Sequence, residues 1–161
     1  MKFAEIRTEA VKHFIDAIKF RSYRGAMLME NKGLQTSQSK YSMNETVRHF
    51  EDILAHNEAT LFAKIDHSHN AAQAGLKLRN TIVFIFGAPH IGTLLMQENQ
   101  QIAIDLPSKV LIWEDEDDTV WVTRNRTSWL TARHEMKGTI ASEKLEKKIH
   151  KMVQEITVSN K

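Results

Sequence analysis

The feature that most constrains this chain is the apolar run from Thr81 to Phe86, which ends at Gly87 and is followed by Pro89 and Gly92. Apolar residues without polar alternation are typical of a strand covered on both faces, so the run predicts a central strand. Proline is favoured at the first position of a helix. The sequence therefore predicts a buried strand, a tight turn and a second regular segment beginning near Gly92.

Strand-like segments on either side of this run favour a sheet. They share β-capable or alternating side chains, and they are residues 34–41, 61–66, 102–105, 109–113 and 119–123. The last two flank the acidic run 114–118, which is typical of a hairpin connection. Because the strands follow one another with few helices between them, they predict an α+β fold with an antiparallel sheet. The polarity of residues 34–41 suits an edge strand.

Helices are predicted from capping signals and from apolar side chains spaced three or four residues apart. Ser42 and Glu45 have capping-box spacing, and a short helix is expected at residues 127–134. Residues 3–20 form an amphipathic pattern at the start of the chain, and the end carries an apolar face of Leu145, Ile149, Met152 and Ile156. We expect an N-terminal helical extension at 1–33, a domain at 34–134 and a C-terminal helix at 135–161.

Composition excludes several classes of protein. At 161 residues the chain is long enough for one core, and without cysteine it has no disulfide, thiolate zinc site, iron–sulfur cluster or cysteine nucleophile. We expect a cytoplasmic protein, since no signal peptide and no apolar run of membrane-spanning length is evident. Basic flanks surround an acidic centre, but both signs are interleaved in the flanks. That pattern differs from the concentrated basic face of a nucleic-acid binder.

Three blocks of the sequence resemble the domain-of-unknown-function 302 family: residues 62–67, residues 81–96 and residues 103–115. The resemblance covers about residues 34–134. It implies a β-α-β-β-β-β-α arrangement similar to the repeat of the TATA-binding protein, and it also favours a homodimer. The family leaves substrate, cofactor and activity open.

Asp66 and His67 end the predicted strand 61–66, and His69 follows two residues later. In an extended segment, His67 and His69 would point the same way, so they are the candidates for a divalent metal. Alternatively, Asp66 and His67 serve in acid–base chemistry. The third reading is structural, with Asp66 accepting backbone amides in the following turn.

The turn from Gly87 to Thr93 is a candidate anion or carbonyl site. Amides at a helix start carry partial positive charge, and glycine allows a ligand to approach the backbone closely. Related sequences, as the resemblance has it, often place lysine where this chain has His90, so this departure would make an anion site pH-dependent. The turn lacks the lysine and serine of a nucleotide-binding loop, which argues against ATP or GTP.

The candidate ligand-binding residues are Asp66, His67, His90, Gly92, Thr93 and Asp105. We expect Asp66, His67, His90 and Thr93 to converge in one pocket if the strands pair with their relevant ends together. The sequence predicts a small-ligand-binding or interaction module that self-associates. One alternative is a metal- or histidine-assisted enzyme using the Asp66–His67 region and Asp105, and another is docking of nucleic acid or a partner by the basic terminal helices. No pattern identifies a cofactor, and whether the protein is an enzyme stays open.

Overall fold

A computed structural model describes residues 33–158. The predicted N-terminal helix at 3–20 lies outside these residues. The strands are β1 (Leu34–Gln38), β2 (Thr60–Asp66), β3 (Thr81–Gly87), β4 (Ser108–Glu114) and β5 (Val120–Asn125). The helices are α1 (Met43–His56), α2 (His67–Gln73), α3 (Pro89–Glu98), α4 (Thr127–Arg133) and α5 (Ile140–Ile156), with a 3₁₀ helix at Gln100–Ile104.

The five strands form one antiparallel sheet in the order β1-β5-β4-β3-β2. The predicted α+β fold is confirmed, and so is the edge position of the first strand. The β4–β5 hairpin forms as expected, because Asp115 in its acidic connection accepts the amides of Asp117 and Thr119. The structure has more helices than the arrangement that the resemblance implies. Helix α2 lies between β2 and β3, and helix α3 lies between β3 and β4.

One face of the sheet carries the core. Phe84, Phe86, Val110, Ile112 and Val122 are each at most 2% exposed, and they cluster with buried side chains of α1, α3 and α5. Phe50 of α1 packs edge-on against both Phe84 and Phe86, with ring centroids 5.2 and 5.6 Å away. The aromatic contacts fix α1 across the middle of the sheet.

The other face of β3 is only half-buried, so the prediction of a strand covered on both faces is wrong for the described residues. Val83 and Ile85 alternate with the buried Phe84 and Phe86. The apolar run hides this alternation, because both sets of side chains are hydrophobic. A sheet face that is apolar but half-exposed produces the same sequence pattern as a fully covered strand.

The predicted strand at 102–105 is also wrong, because residues 100–104 form the 3₁₀ helix. The side chain of Asn99 accepts the amide of Gln101 at its start, 2.9 Å away. At its end the amides of Asp105 and Leu106 both donate to the carbonyl of Ile102. These local hydrogen bonds compete with strand pairing and decide the conformation.

The C-terminal helix α5 belongs to the same core. Leu145, Ile149, Met152 and Ile156, the predicted apolar face, are all at most 7% exposed. The side chain of Thr139 caps the helix by accepting the amide of Ser142. The helix therefore packs on the sheet as an integral element of the fold.

Candidate functional site

An apolar cavity of about 290 Å³ lies where β3 gives way to α3. The turn and the first turns of α3 contribute Gly87, Ala88, Pro89, Gly92, Thr93 and Met96. The opposite wall consists of Ala103, Leu106, Pro107 and Ser108, and the cavity is completed by Phe62 and Leu145. Of these described lining residues, none is charged. The cavity is near the small end of ligand pockets in proteins and is suited to an apolar molecule.

Local sequence features create this cavity. Pro89 occupies the first position of α3, as predicted, and starts the helix directly after the strand. The register between β2 and β3 shifts at Phe62, so a β-bulge turns this ring towards the end of β3. Gly87 lies between Phe62 and Pro107, where a Cβ atom would be 3.5 Å from the Pro107 Cβ and 3.6 Å from the Phe62 ring. The missing side chain of Gly87 therefore leaves open space between two apolar walls.

Asp66 acts as the cap of α2. Its carboxylate accepts the amide of His69 at 2.9 Å and the hydroxyl of Ser68. These two hydrogen bonds, the Ser68 hydroxyl first, lower the pKa of Asp66 below its usual value. Asp66 thus accepts a backbone amide in the turn that follows the strand, as its structural reading predicts, and the helix begins at His67.

The antiparallel register separates the predicted site residues. Asp66 pairs with Ile82 at the start of β3, whereas Gly87 at its end pairs with Thr60. The five residue steps along the strand from Ile82 to Gly87 correspond to about 17 Å. The prediction that Asp66 and His67 share a pocket with His90 and Thr93 is therefore wrong, because the relevant strand ends do not coincide.

The two candidate metal ligands are helical. His67 and His69 lie in the first turn of α2, and residues two apart on a helix do not face each other. The expectation that they point the same way was based on an extended segment. His69 contacts Gln73 instead, with their side-chain nitrogens 3.0 Å apart. Across residues 33–158, no group of three or more histidine and carboxylate side chains is arranged to hold a metal.

The first amides of α3 are partly used within the helix. The amides of Ile91 and Gly92 both donate to the carbonyl of Ala88, at 2.9 and 3.1 Å. Gly92 and Thr93 line the apolar cavity, while His90 is exposed and is not among the lining residues. The turn thus offers apolar surface to a ligand, with Thr93 and Ser108 supplying the hydroxyl groups of the lining.

Asp105 lies beside the cavity wall but faces α4. Its carboxylate contacts Nη1 of Arg133 at 2.9 Å and Nε2 of His134 at 2.7 Å. Its backbone carbonyl accepts the Lys109 ammonium at 3.0 Å, and the same ammonium donates to the carbonyl of Pro107 at 3.2 Å. Asp105 therefore holds the chain that forms the wall rather than lining the cavity.

The most strongly perturbed carboxylate lies elsewhere, on the core side of the sheet. Burial opposes ionisation of Glu146, but hydrogen bonds from Arg124 and from the Thr127 amide outweigh it and lower its pKa from 4.5 to about 2. Arg124 is 2% exposed and also donates to Gln35 of β1. The pair ties α5 to the sheet and to the start of α4, which is a structural role.

Sequence reasoning missed most of the cavity lining. Five of the missed residues come from four separate parts of the chain: Phe62, Met96, the adjacent Leu106 and Pro107, and Leu145. Each is an ordinary apolar residue whose type indicates no ligand chemistry. The part of the lining that the sequence did identify is the turn from Gly87 to Thr93, where glycine between an apolar strand and a proline permits a close approach.

Comparisons with known proteins give a family and a fold. The profile of the family described as "Domain of unknown function DUF302" matches residues 35–156, which extends beyond the predicted 34–134 and includes α5. A crystal structure of an uncharacterized conserved DUF302 protein from Bacillus stearothermophilus superposes with a TM-score of 0.68 at 16% identity. The alignment covers 76% of this chain and 97% of that one.

The chain is also similar to proteins named as fluoride channels. It is 39% identical over 106 residues, 66% of its length, to "Fluoride-specific ion channel FluC 1" of Brucella suis and to "Fluoride-specific ion channel FluC 2" of Brucella melitensis. The match spans 42% and 39% of those proteins, respectively. Within residues 33–158, no helix is long and apolar enough to cross a membrane.

Proposed function

This chain belongs to the DUF302 family, and we propose that it acts as a binding module for a small neutral ligand, held in the apolar cavity at the end of β3. The observation that carries the proposal is the lining, which combines an open space of about 290 Å³ with apolar walls and two hydroxyl groups. Burial of a ligand's apolar surface would supply the affinity, and Thr93 or Ser108 would orient a single polar group.

The lining favours a neutral ligand over the anionic one that the sequence suggested. Desolvating an anion is costly unless charged or amide donors replace its water. The amides of Ile91 and Gly92 already donate to Ala88, and the cavity's lining residues carry no charge in the described part of the chain. An engineered apolar cavity of about 150 Å³ holds benzene, so a two-ring molecule is a suitable size here.

The test compares 2-naphthol with 2-naphthoate, which share a ring system but differ in charge at pH 7. Calorimetric titration of the full chain should give saturable binding of 2-naphthol and at least about tenfold weaker binding of 2-naphthoate. Gly87→Ala should weaken 2-naphthol binding, because the added methyl fills the space between Phe62 and Pro107. Equal or tighter binding of 2-naphthoate would contradict the proposal.

Gly138→Ala is the matched control for the cavity variant. A Cβ at Gly138 meets no atom within 4 Å, so the same chemical change there fills no space. We expect this variant to bind 2-naphthol like the unmodified chain. If both glycine variants lose binding to the same extent, the loss does not come from the cavity.

A second candidate function follows from the relatives named as fluoride-specific ion channels. The 39% identity over 106 residues, which spans 42% of the Brucella suis protein, supports a role in handling fluoride, and binding of the ion by this chain is the form of it that can be tested directly. Titration of the full chain into sodium fluoride, observed by ¹⁹F NMR, should then broaden or shift the fluoride signal. An unchanged signal at millimolar protein would remove this candidate.

Self-association remains part of the proposed behaviour. Among the described residues, the second face of the sheet presents half-buried apolar side chains, including Ile85, Leu111 and Trp113. Apolar patches of this kind favour contact with another protein surface. Light scattering of the full chain should give the mass of a dimer, and Leu111→Glu should shift it towards the monomer. A monomer for the unmodified chain at all concentrations would contradict the homodimer.

A further inference from the structure

One segment of the cavity wall is hydrogen-bonded at both of its ends to the same residue, His134. We call residues 99–105 the strap; it contains the 3₁₀ helix and runs from Asn99 to Asp105. Ala103 in the strap lines the cavity, and Ile102 anchors the strap in the core at 1% exposure. Leu106 and Pro107, which follow directly, extend the same wall. The position of the strap therefore determines the width of the cavity.

His134, the C-cap residue directly after α4, contacts both ends of the strap. At one end the side-chain amide of Asn99 donates to the carbonyl of His134 at 3.1 Å. At the other end the ring Nε2 of His134 is 2.7 Å from the carboxylate of Asp105. The His134 side chain is 8% exposed and that of Asp105 is 15% exposed, so water competes weakly for this contact.

The residues at the two ends of the strap, Asn99 and Asp105, each make further hydrogen bonds besides the one to His134. Asn99 uses its side-chain oxygen to accept the Gln101 amide while its nitrogen holds His134, so both functions depend on one side-chain orientation. Asp105 is held from the other side by Arg133 and, through its carbonyl, by Lys109. Loss of the His134 ring would leave the carboxylate of Asp105 with Arg133, whose side chain is 50% exposed, so that water screens the remaining ion pair.

We propose that His134 is a positioning residue for ligand binding: its ring holds Asp105 and its backbone carbonyl holds Asn99, and the ring contact is what fixes the strap against the apolar cavity. This inference rests on the proposed binding of a neutral ligand in that cavity. His134 touches no ligand in this account. It acts by keeping Ala103 and Leu106 at the distance that a bound ring requires, and a looser wall would make fewer contacts with that ring.

The test uses a pair of side chains that match in size but differ in hydrogen bonding. His134→Gln keeps an amide donor that can reach Asp105, whereas His134→Glu places an acceptor with like charge there. His69→Ala, in exposed helix α2, is the control for removing a histidine elsewhere. Denaturant unfolding of each variant establishes that it is folded before binding is measured.

The first readout is hydrogen exchange of the free protein, which judges the strap whether or not 2-naphthol binds. The amides of Asp105 and Leu106, which both donate to Ile102, should exchange at least about tenfold faster in His134→Glu. His134→Gln and His69→Ala should exchange like the unmodified chain. Unchanged exchange at 105 and 106 in His134→Glu would overturn the proposal.

The second readout is the affinity for 2-naphthol. His134→Glu should weaken it about tenfold, and His134→Gln should restore it to within about threefold of the unmodified chain. Full affinity in His134→Glu despite faster exchange would overturn the positioning role. If the unmodified chain fails to bind 2-naphthol, the proposed function fails, and the exchange result alone decides whether His134 holds the strap.

Discussion

The two ends of the β2–β3 pair differ in chemistry although they are only five residue steps apart along β3. At one end Phe62 and Gly87 border an apolar cavity, and at the other Asp66 caps a short polar helix. The apolar end is built from long-range contacts among separate parts of the chain, whereas the polar end satisfies its hydrogen bonds within a few residues. A conspicuous polar motif can make all its hydrogen bonds locally, while the open space lies between apolar residues whose types indicate no ligand chemistry.

The largest difference between the two ends is expected in how much an alanine substitution lowers the free energy of unfolding. Phe86 at the apolar end is 2% exposed and packs against Phe50, so Phe86→Ala should lower the free energy of unfolding by about 3–5 kcal/mol. Ile82→Ala, on the same strand at the polar end, is the control. Because Ile82 is only half-buried, it should cost about 1–2 kcal/mol. Equal shifts in urea-unfolding midpoint would remove the contrast.

The carboxylate with the most strongly lowered pKa, that of Glu146 in the Arg124–Glu146 pair, lies at neither end of the β2–β3 pair. Glu146→Gln should lower the free energy of unfolding at pH 7 by about 2 kcal/mol, a value reduced for the partial exposure of Glu146. The pKa of Glu146 is lowered from 4.5 to about 2 on folding, so its stabilisation is complete above pH 4.5.

The stabilisation by Glu146 is lost as the pH falls through that window. The difference in unfolding free energy between the unmodified chain and Glu146→Gln should therefore shrink from pH 5 towards pH 2. Denaturant unfolding at a series of pH values measures it. A difference that stays constant down to pH 2 would contradict the role of the ionised pair.

At the polar end, Asp66→Ala should cost about 1 kcal/mol, which is typical for loss of a helix cap. Asp66→Asn retains the cap and should cost only a few tenths of a kcal/mol. Neither variant should alter the affinity for 2-naphthol, because the two ends are separated along the strand. A loss of 2-naphthol binding in Asp66→Asn would mean that the ends act as one site.

The smallest effect is expected for the histidines of α2. His67→Ala and His69→Ala should each change the free energy of unfolding by less than about 0.5 kcal/mol, since both side chains are exposed. Addition of zinc to the unmodified chain should leave its thermal unfolding midpoint unchanged. A zinc-dependent rise that disappears in both variants would restore the metal-assisted alternative.

The spacing of apolar residues predicted helices and strands correctly where an element is buried on one face and exposed on the other. Met43, Val47, Phe50 and Leu54 occupy the buried face of α1, and the Ser42 amide is held by Glu45 as the capping box requires. The edge position of β1 followed from its polarity. These features depend on local spacing, which a single sequence contains.

Features that depend on residues far apart in the sequence could not be predicted from local spacing. The burial of Val83 and Ile85 depends on what packs against the second face of the sheet. An apolar run in the sequence does not indicate whether anything packs there. The convergence of Asp66 with Thr93 depended on which strand ends meet, and antiparallel pairing reversed the expected arrangement. The cavity lining assembles from turns far apart in the chain, so no spacing rule identifies it.

The central claim is that a neutral ligand occupies the apolar end of β3. The most direct measurement is a titration with 2-naphthol followed by ¹H–¹³C NMR of the full chain labelled at its methionine methyl groups. Met96 lines the cavity, whereas Met43 belongs to α1 and does not. We expect a saturable ring-current shift of the Met96 methyl with little change at Met43, and a much smaller response to 2-naphthoate. An unmoved Met96 signal at saturating 2-naphthol, or a larger response to 2-naphthoate, would contradict that claim.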